Sequence, residues 1–340
     1  MRIFHSLALA LVAALALSTL APTPAQARKL KIKMGTVAPQ GSIWHKALLE
    51  MAEVFSEETG GKVELKVYAG VVGDEPTIVR KMRVGQLHAA TLTNTGLALI
   101  TTEPMAVQLP MMFDSYEEMD AVMAGMAPTF DKALEEDGFV TLTWSDGGWI
   151  HFFTREPAVS VADVQGVKSW MWAHDAKALE ALAAVGFAPV VLSGVDIIPS
   201  LQTGMIDALP TTPITAVALQ TYPHTQNMIG VRWSMMVGGT IISKEAWERV
   251  PAEARPRIRA RCMEVGKRLS TAVRAETDSA IAIMTSKGLK VHTPTAAQLV
   301  EWRARADKVN AIVRQGSVDP ALADKAFALR DAYRKQHGKK

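Results

Sequence analysis

Polar and apolar residues alternate along the first part of this chain in short blocks. Residues 30–35 alternate lysine with apolar side chains, and residues 63–68 repeat the pattern. A period of two predicts strands with one covered face. Between them, Ser42 follows a Pro39-Gln40-Gly41 turn and can cap a helix from residue 43 to about 59, which Gly60-Gly61 stops. Asp74 at a cap and Pro76 in the first turn open a second helix, which runs to about residue 84 and ends at Gly85. Residues 87–92 are apolar enough for a third, buried strand. Strand, helix, strand, helix, strand is the alternation that builds a mostly parallel sheet covered by helices.

The pattern continues. Residues 115–136 predict a helix, and 139–144 and 149–154 two strands separated by a turn at Asp146-Gly147-Gly148. A helical turn at 161–165, strands at 167–171 and 189–192, and a helix at 174–185 follow. Ser193 and Asp196 form a capping pair for a helix through Thr203, before a short strand at 206–209. Residues 252–287 then carry a sustained helical pattern. A single helix of about 30 residues would span roughly 45 Å, enough to brace two lobes; two shorter helices with a break near Thr277 are the other reading. A strand at 289–292 and Ala-, Arg- and Lys-rich helices complete the chain.

The amino terminus changes the picture. Arg2 and His5 precede an apolar run at 7–20, and Ala25-Gln26-Ala27 places small residues where a signal peptidase cuts. These are the three regions of a secretory signal, predicting cleavage near Ala27 and a periplasmic protein. About 310 residues remain, which suits two domains. A net charge of +3 and the lack of a basic stripe argue against nucleic acid as a partner. The one cysteine, Cys262, lies in the long helical stretch and is expected to be packed. No nucleophile elbow, phosphate loop, dinucleotide fingerprint or metal-ligand spacing occurs, so neither an enzyme nor a cofactor or metal is expected.

Five stretches, in order, carry a resemblance. They are Gly73-Asp74-Glu75; residues 80–87, RKMRVGQL; residues 108–113, QLPMMF; residues 160–168, SVADVQGVK; and residues 201–208, LQTGMIDA. The chain resembles the substrate-binding subunits of tripartite ATP-independent periplasmic (TRAP) transporters, the DctP-type proteins. The resemblance implies an α/β, two-lobe periplasmic binding protein fold with a ligand cleft between the lobes and a long helix bridging both. It implies lobe I from residues 28–147 plus about 237–276, and lobe II from 148–236 plus about 277–340, after a signal peptide at 1–27. It implies a small-molecule ligand and, as partners, the small and large membrane subunits of an ion-driven transporter.

Most members of that family bind carboxylates through an arginine after a Gly-x-Lys-x element. Here the element reads Gly166-Val167-Lys168-Ser169, and Trp170 stands at the arginine position, followed by Met171 and Trp172. A second family arginine is replaced by Trp149, Ile150 and His151, and the Thr91–Thr95 segment lacks the acidic residue often found there. Trp170, Trp172, Trp149, Trp44, Thr93, Asn94, Thr212, His151 and Arg155 are therefore the expected ligand-binding residues. Tryptophan faces with a few hydroxyls suit a neutral, aromatic or hydrophobic ligand; Arg155 is the cation that would restore a carboxylate ligand. A carrier of lipid-like molecules and a ligand-sensing subunit for a signalling receptor are the alternatives. Monomer and dimer are both left open.

Overall fold

A computed structural model describes residues 29–171 and 176–338 of the 340-residue chain; the expected signal peptide and Trp172 lie outside the described residues. Strand β1 (Leu30–Thr36), helix α1 (Ile43–Glu58), β2 (Val63–Ala69), α2 (Glu75–Arg83) and β3 (Ala89–Thr93) follow the predicted alternation. β1 runs parallel to both β2 and β3. Ser42 and Asp74 cap α1 and α2, accepting from the backbone N–H of His45 and Thr77. A short helix α3 (Asn94–Leu97), a 3-10 turn at Glu103–Val107 and α4 (Tyr116–Glu136) lead into β4 (Phe139–Thr154).

The second half adds β5 (Lys168–Met171), α5 (Ala176–Val185), β6 (Ala188–Val191), α6 (Ile197–Thr203), β7 (Ala208–Thr211), α7 (Pro213–Ala218) and β8 (Asn227–Ile229). It continues through β9 (Ser234–Ser243), α8 (Lys244–Glu248), α9 (Arg255–Ser286), β10 (Lys290–His292), α10 (Ala296–Val313) and α11 (Pro320–Gln336). Strands run β2-β1-β3-β9-β4-β7-β5-β6 across a mixed α/β sheet, with β8 and β10 beside the end of β4. The sheet divides into two lobes at one point on β4: through Ile150 this strand pairs with β9, and from His151 with β7.

Two expectations need correction. Residues 139–154 form one strand, and Asp146-Gly147-Gly148 is no turn. The register with β9 shifts between Asp146 and Gly148, and Gly148 has φ 90°. Glycine tolerates this left-handed backbone, so the strand absorbs an extra residue as a bulge without leaving the ladder. The second correction is β9, which the sequence reading lacks: Ser234–Ser243 is largely apolar on both faces and carries Gly238-Gly239, so it shows no alternation.

Helix α9 is a single helix of 32 residues with no break at Thr277, whose hydroxyl donates to the Val273 carbonyl at 2.9 Å. Ile258, Cys262 and Val265 pack with Met34, Met51 and Phe55, while Met284 packs with Phe153 and Met228. The helix therefore shares a core with each lobe. Burial pushes the Cys262 thiol up to about 12, which leaves it a packing group. Between these contacts, Arg274 of α9 holds the β4 bulge. Its Nη2 and Nε lie 2.8 and 3.1 Å from Asp146 Oδ2, and its Nη1 lies 2.8 Å from Asp120 Oδ2. The guanidinium sits 4.6 Å from the Tyr116 ring centroid.

Asp146 is buried and Asp120 is exposed, so the two partners should differ in weight. Arg274→Ala leaves a buried carboxylate unpaired and should lower unfolding free energy by about 2–4 kcal/mol. Asp120→Asn should cost less than about 1 kcal/mol. Urea denaturation of both variants checks this; equal small losses would show that the bulge does not depend on the ion pair.

Candidate ligand-binding site

A cavity of about 470 Å³ opens between the lobes. Thr93 reaches it from the end of β3, Thr95 from α3, Met171 from the end of β5, Pro210 from β7, and Ser234 and Met236 from β9. Carboxyl ends of strands in open α/β sheets are the usual place for a ligand. Trp170 and Trp233 supply the large aromatic walls. Among the described lining residues none is Lys, Arg, Asp, Glu or His. At the rim, Ser193 Oγ of one lobe lies 3.4 Å from Asp74 Oδ2 of the other, so the two lips touch.

Thr93 owes its position to a buried network. Its hydroxyl caps α3, accepting from Gly96 N–H at 3.3 Å, and donates to Glu75 Oε2 at 2.8 Å. Its backbone N–H donates to Glu75 Oε1 at 2.6 Å. Burial pushes the Glu75 carboxyl above its ordinary range, against these hydrogen bonds. A Cβ on Gly96 would stand 2.6 Å from that carboxyl, so glycine is what lets the turn close over it.

Trp170 is 9% exposed; its indole N–H donates to the Leu192 carbonyl at 3.2 Å, and its ring packs with Ile197, Leu201, Ile206 and Leu209. One residue thus serves as both cavity wall and lobe core. Trp233 behaves alike, with its ring 5.3 Å from Phe152 and 5.9 Å from Trp302.

The structure brings together Thr93 and Trp170 of the nine expected residues. Six others lie elsewhere, and Trp172 is outside the described residues. Trp149 is buried against Tyr116 at 5.5 Å, with the Arg232 guanidinium 5.2 Å from its ring. His151 is buried in β4, Nδ1 3.1 Å from the Ile229 carbonyl. Asn94 is fully buried and donates to the Pro104 carbonyl at 2.8 Å. Thr212 is fully buried and caps α7, accepting from Thr215 N–H at 3.3 Å. Arg155 Nε lies 3.0 Å from Asp207 Oδ1, and a second guanidinium nitrogen donates to the Leu201 carbonyl. Trp44 lines a separate hollow of about 340 Å³ with Ile214, Val217, Ala280 and Ile283.

Sequence reasoning missed the wall formed by Met105, Gln108 and Leu109, and the contribution of the α10–α11 turn at Ser317. The QLPMMF stretch marks the first in sequence but assigns it no role. Nothing local marks Ser317, which is near the cavity only through the packing of α10.

Two lobes sharing crossing strands, a bridging helix and a cavity between them define a solute-binding protein. Residues 34–315 match the family model described as bacterial extracellular solute-binding protein, family 7 (DctP), and the chain belongs to that family. It is 26% identical over 309 residues to the C4-dicarboxylate-binding periplasmic protein DctP of Rhodobacter capsulatus, covering 86% of this chain and 89% of that one. A TRAP periplasmic solute-binding protein from Ralstonia eutropha, solved with (S)-2-acetolactate, superposes with a TM-score of 0.83 at 21% identity, over 89% of this chain and 99% of that one. The sugar acid binding protein DctPAm of Advenella mimigardefordensis, solved with galactonate, gives a TM-score of 0.84 at 16% identity, over 90% and 99%.

Burial lowers the His151 pKa to about 4, so the imidazole stays neutral in the folded protein while the unfolded chain takes up a proton near pH 6.5. The depressed value means stability is fully present above pH 6.5 and is lost as pH falls toward 4. The loss attributable to this residue should be about 3 kcal/mol. Urea titrations at pH 7.5 and pH 4.5 should show a smaller acid loss for His151→Gln than for the natural chain; equal losses would contradict a buried neutral imidazole.

Proposed function

We propose that the chain is a periplasmic solute receptor, exported by cleavage near Ala27. It encloses one small organic molecule between its lobes and presents it to the small and large membrane subunits of an ion-driven TRAP-type transporter. The moving bodies are residues 28–147 with about 237–276, and 148–236 with about 277–340. Closure about the β4 and β9 crossings brings the lips together, and ligand shifts the population toward the closed form.

The observation that carries the ligand reading is the cavity lining. It combines tryptophan, methionine, proline and aliphatic walls with threonine and serine hydroxyls, and carries no charged group among the described residues. An unpaired carboxylate buried there would lose its hydration without a cation in return. Arg155, the cation that would replace the missing arginine, is engaged by Asp207 and does not line the cavity. The buried part of the ligand is therefore uncharged and mainly apolar. The acids bound by relatives favour a second reading, an organic acid whose carboxylate stays at the mouth while an apolar body occupies the cavity.

A thermal-shift screen of residues 28–340 against uncharged aromatic compounds and alcohols, dicarboxylates and sugar acids tests the two. Shifts with uncharged compounds support the first reading, because a ligand that binds only the folded state raises the midpoint. Shifts with acids alone support the second. Trp170→Ala should weaken binding of a screened ligand about 10–100-fold and also cost about 3–5 kcal/mol of stability through lost packing. Trp170→Phe keeps most of the packing, so a binding defect there with near-native stability reports the cavity role alone.

A further inference from the structure

The row of strands ends in β2 at one edge and in β6 at the other. Neighbouring strands lie about 4.8 Å apart, so in a flat sheet these edges would stand about 34 Å from each other. The segments that leave them nevertheless touch: Asp74 follows β2, Ser193 follows β6, and Ser193 Oγ donates to Asp74 Oδ2 at 3.4 Å. Neither side chain is used up by its own helix. Ser193 holds the cap position of the 3-10 turn Gly194–Asp196, where a serine ordinarily accepts from a backbone N–H, yet it makes no capping bond. Asp74 caps α2 through Oδ1, accepting from Thr77 N–H at 3.1 Å, and turns Oδ2 to the other lobe. Each partner also stands beside a residue that holds a cavity wall. Leu192, before Ser193, offers its carbonyl to the Trp170 indole, and Glu75, after Asp74, grips the Thr93 N–H and hydroxyl. Trp170 and Thr93 both line the cavity.

We infer that Ser193 and Asp74 are positioning residues, a latch across the mouth that holds the lobes closed on the solute. The inference rests on the reading of the lobes as two bodies that close about a solute. A solute between Thr93 and Trp170 sets the two walls, and through Glu75 and the Leu192 carbonyl it brings the two lips to bonding distance. Neither latch residue lines the cavity, so the latch adds retention without touching the solute and without choosing among solutes. A single bond of this length is weak enough to break for release.

The test reads the separation of the lobes directly, by pulsed electron–electron double resonance between spin labels on Val84→Cys and Met205→Cys. Both positions are exposed, one at the end of α2 and the other just after α6, and the buried Cys262 takes no label. Residues 28–340 are measured as purified from periplasm, and again after unfolding and refolding without solute. The inference expects a short and a long distance, with Ser193→Ala lowering the short-to-long ratio about three- to tenfold. Asp74→Ser keeps a capping hydroxyl but removes the second oxygen, and should lower the ratio as much, with no further loss in the double variant. Ser193→Thr keeps the hydroxyl and should keep the ratio. Two populations that Ser193→Ala leaves unchanged, a loss that Ser193→Thr shares, or losses that add in the double variant overturn the latch and leave lobe closure standing. A single distance in every sample means that the lobes do not move, and the latch falls with the reading of closure.

Discussion

The ion pair between buried Asp146 and Arg274 ties the strand shared by both lobes to the helix that spans them. Asp146 sits at a bulge in the one strand that pairs with β9 in the first lobe and β7 in the second. A bulge twists and bends its strand, and left alone it would be the weakest point of the ladder. Arg274 anchors it to the middle of a 32-residue helix whose two ends are buried in different cores. The Asp146 N–H, which the bulge frees, donates to Ser270 Oγ of the same helix at 3.1 Å. A guanidinium and a hydroxyl thus bind the bulge to the helix, a few residues before the lobes part at Ile150 and His151.

The cavity follows from that junction. Because β4 pairs in both halves of the sheet, the strand ends of the two lobes face a common space, and the residues there come from distant parts of the chain. Thr93 is aimed by the buried Glu75 carboxyl, and Trp170 by the Leu192 carbonyl. The walls are thus held by side chains whose far sides belong to the lobe cores, so each lobe's half of the pocket is fixed by its own packing. The Asp74–Ser193 contact at the lips is the light one, a single hydrogen bond near the distance limit, as suits an opening that must release its contents.

Local chemistry made much of this legible. The alternation at 30–35 and 63–68, the caps at Ser42 and Asp74, and the helical stretch at 252–287 each state their element through periodicity and end signals, and the structure follows them. Strand β9 escaped because both its faces are covered, so no alternation survives. The bulge at Asp146-Gly147-Gly148 looked like a turn because a turn and a bulge ask for the same residues; only the partner strand distinguishes them. Thr93 and Trp170, expected at a cleft from their place in the chain, line the cavity. Trp149 and His151 lie on the crossing strand but face its packed side. Gln108 and Ser317 are separated by about 200 residues of chain, and both line the cavity only because the chain folds back on itself.

The most direct test of the account is the identity of the molecule that the protein carries. The exported protein would be purified from periplasm under native conditions, denatured, and its released small molecules identified by mass spectrometry against a mock purification. The account predicts a stoichiometric, largely apolar organic compound without a charged group in its apolar body. A released dicarboxylate or sugar acid would contradict it, because none of the described residues that line the cavity carries a charge to neutralise one.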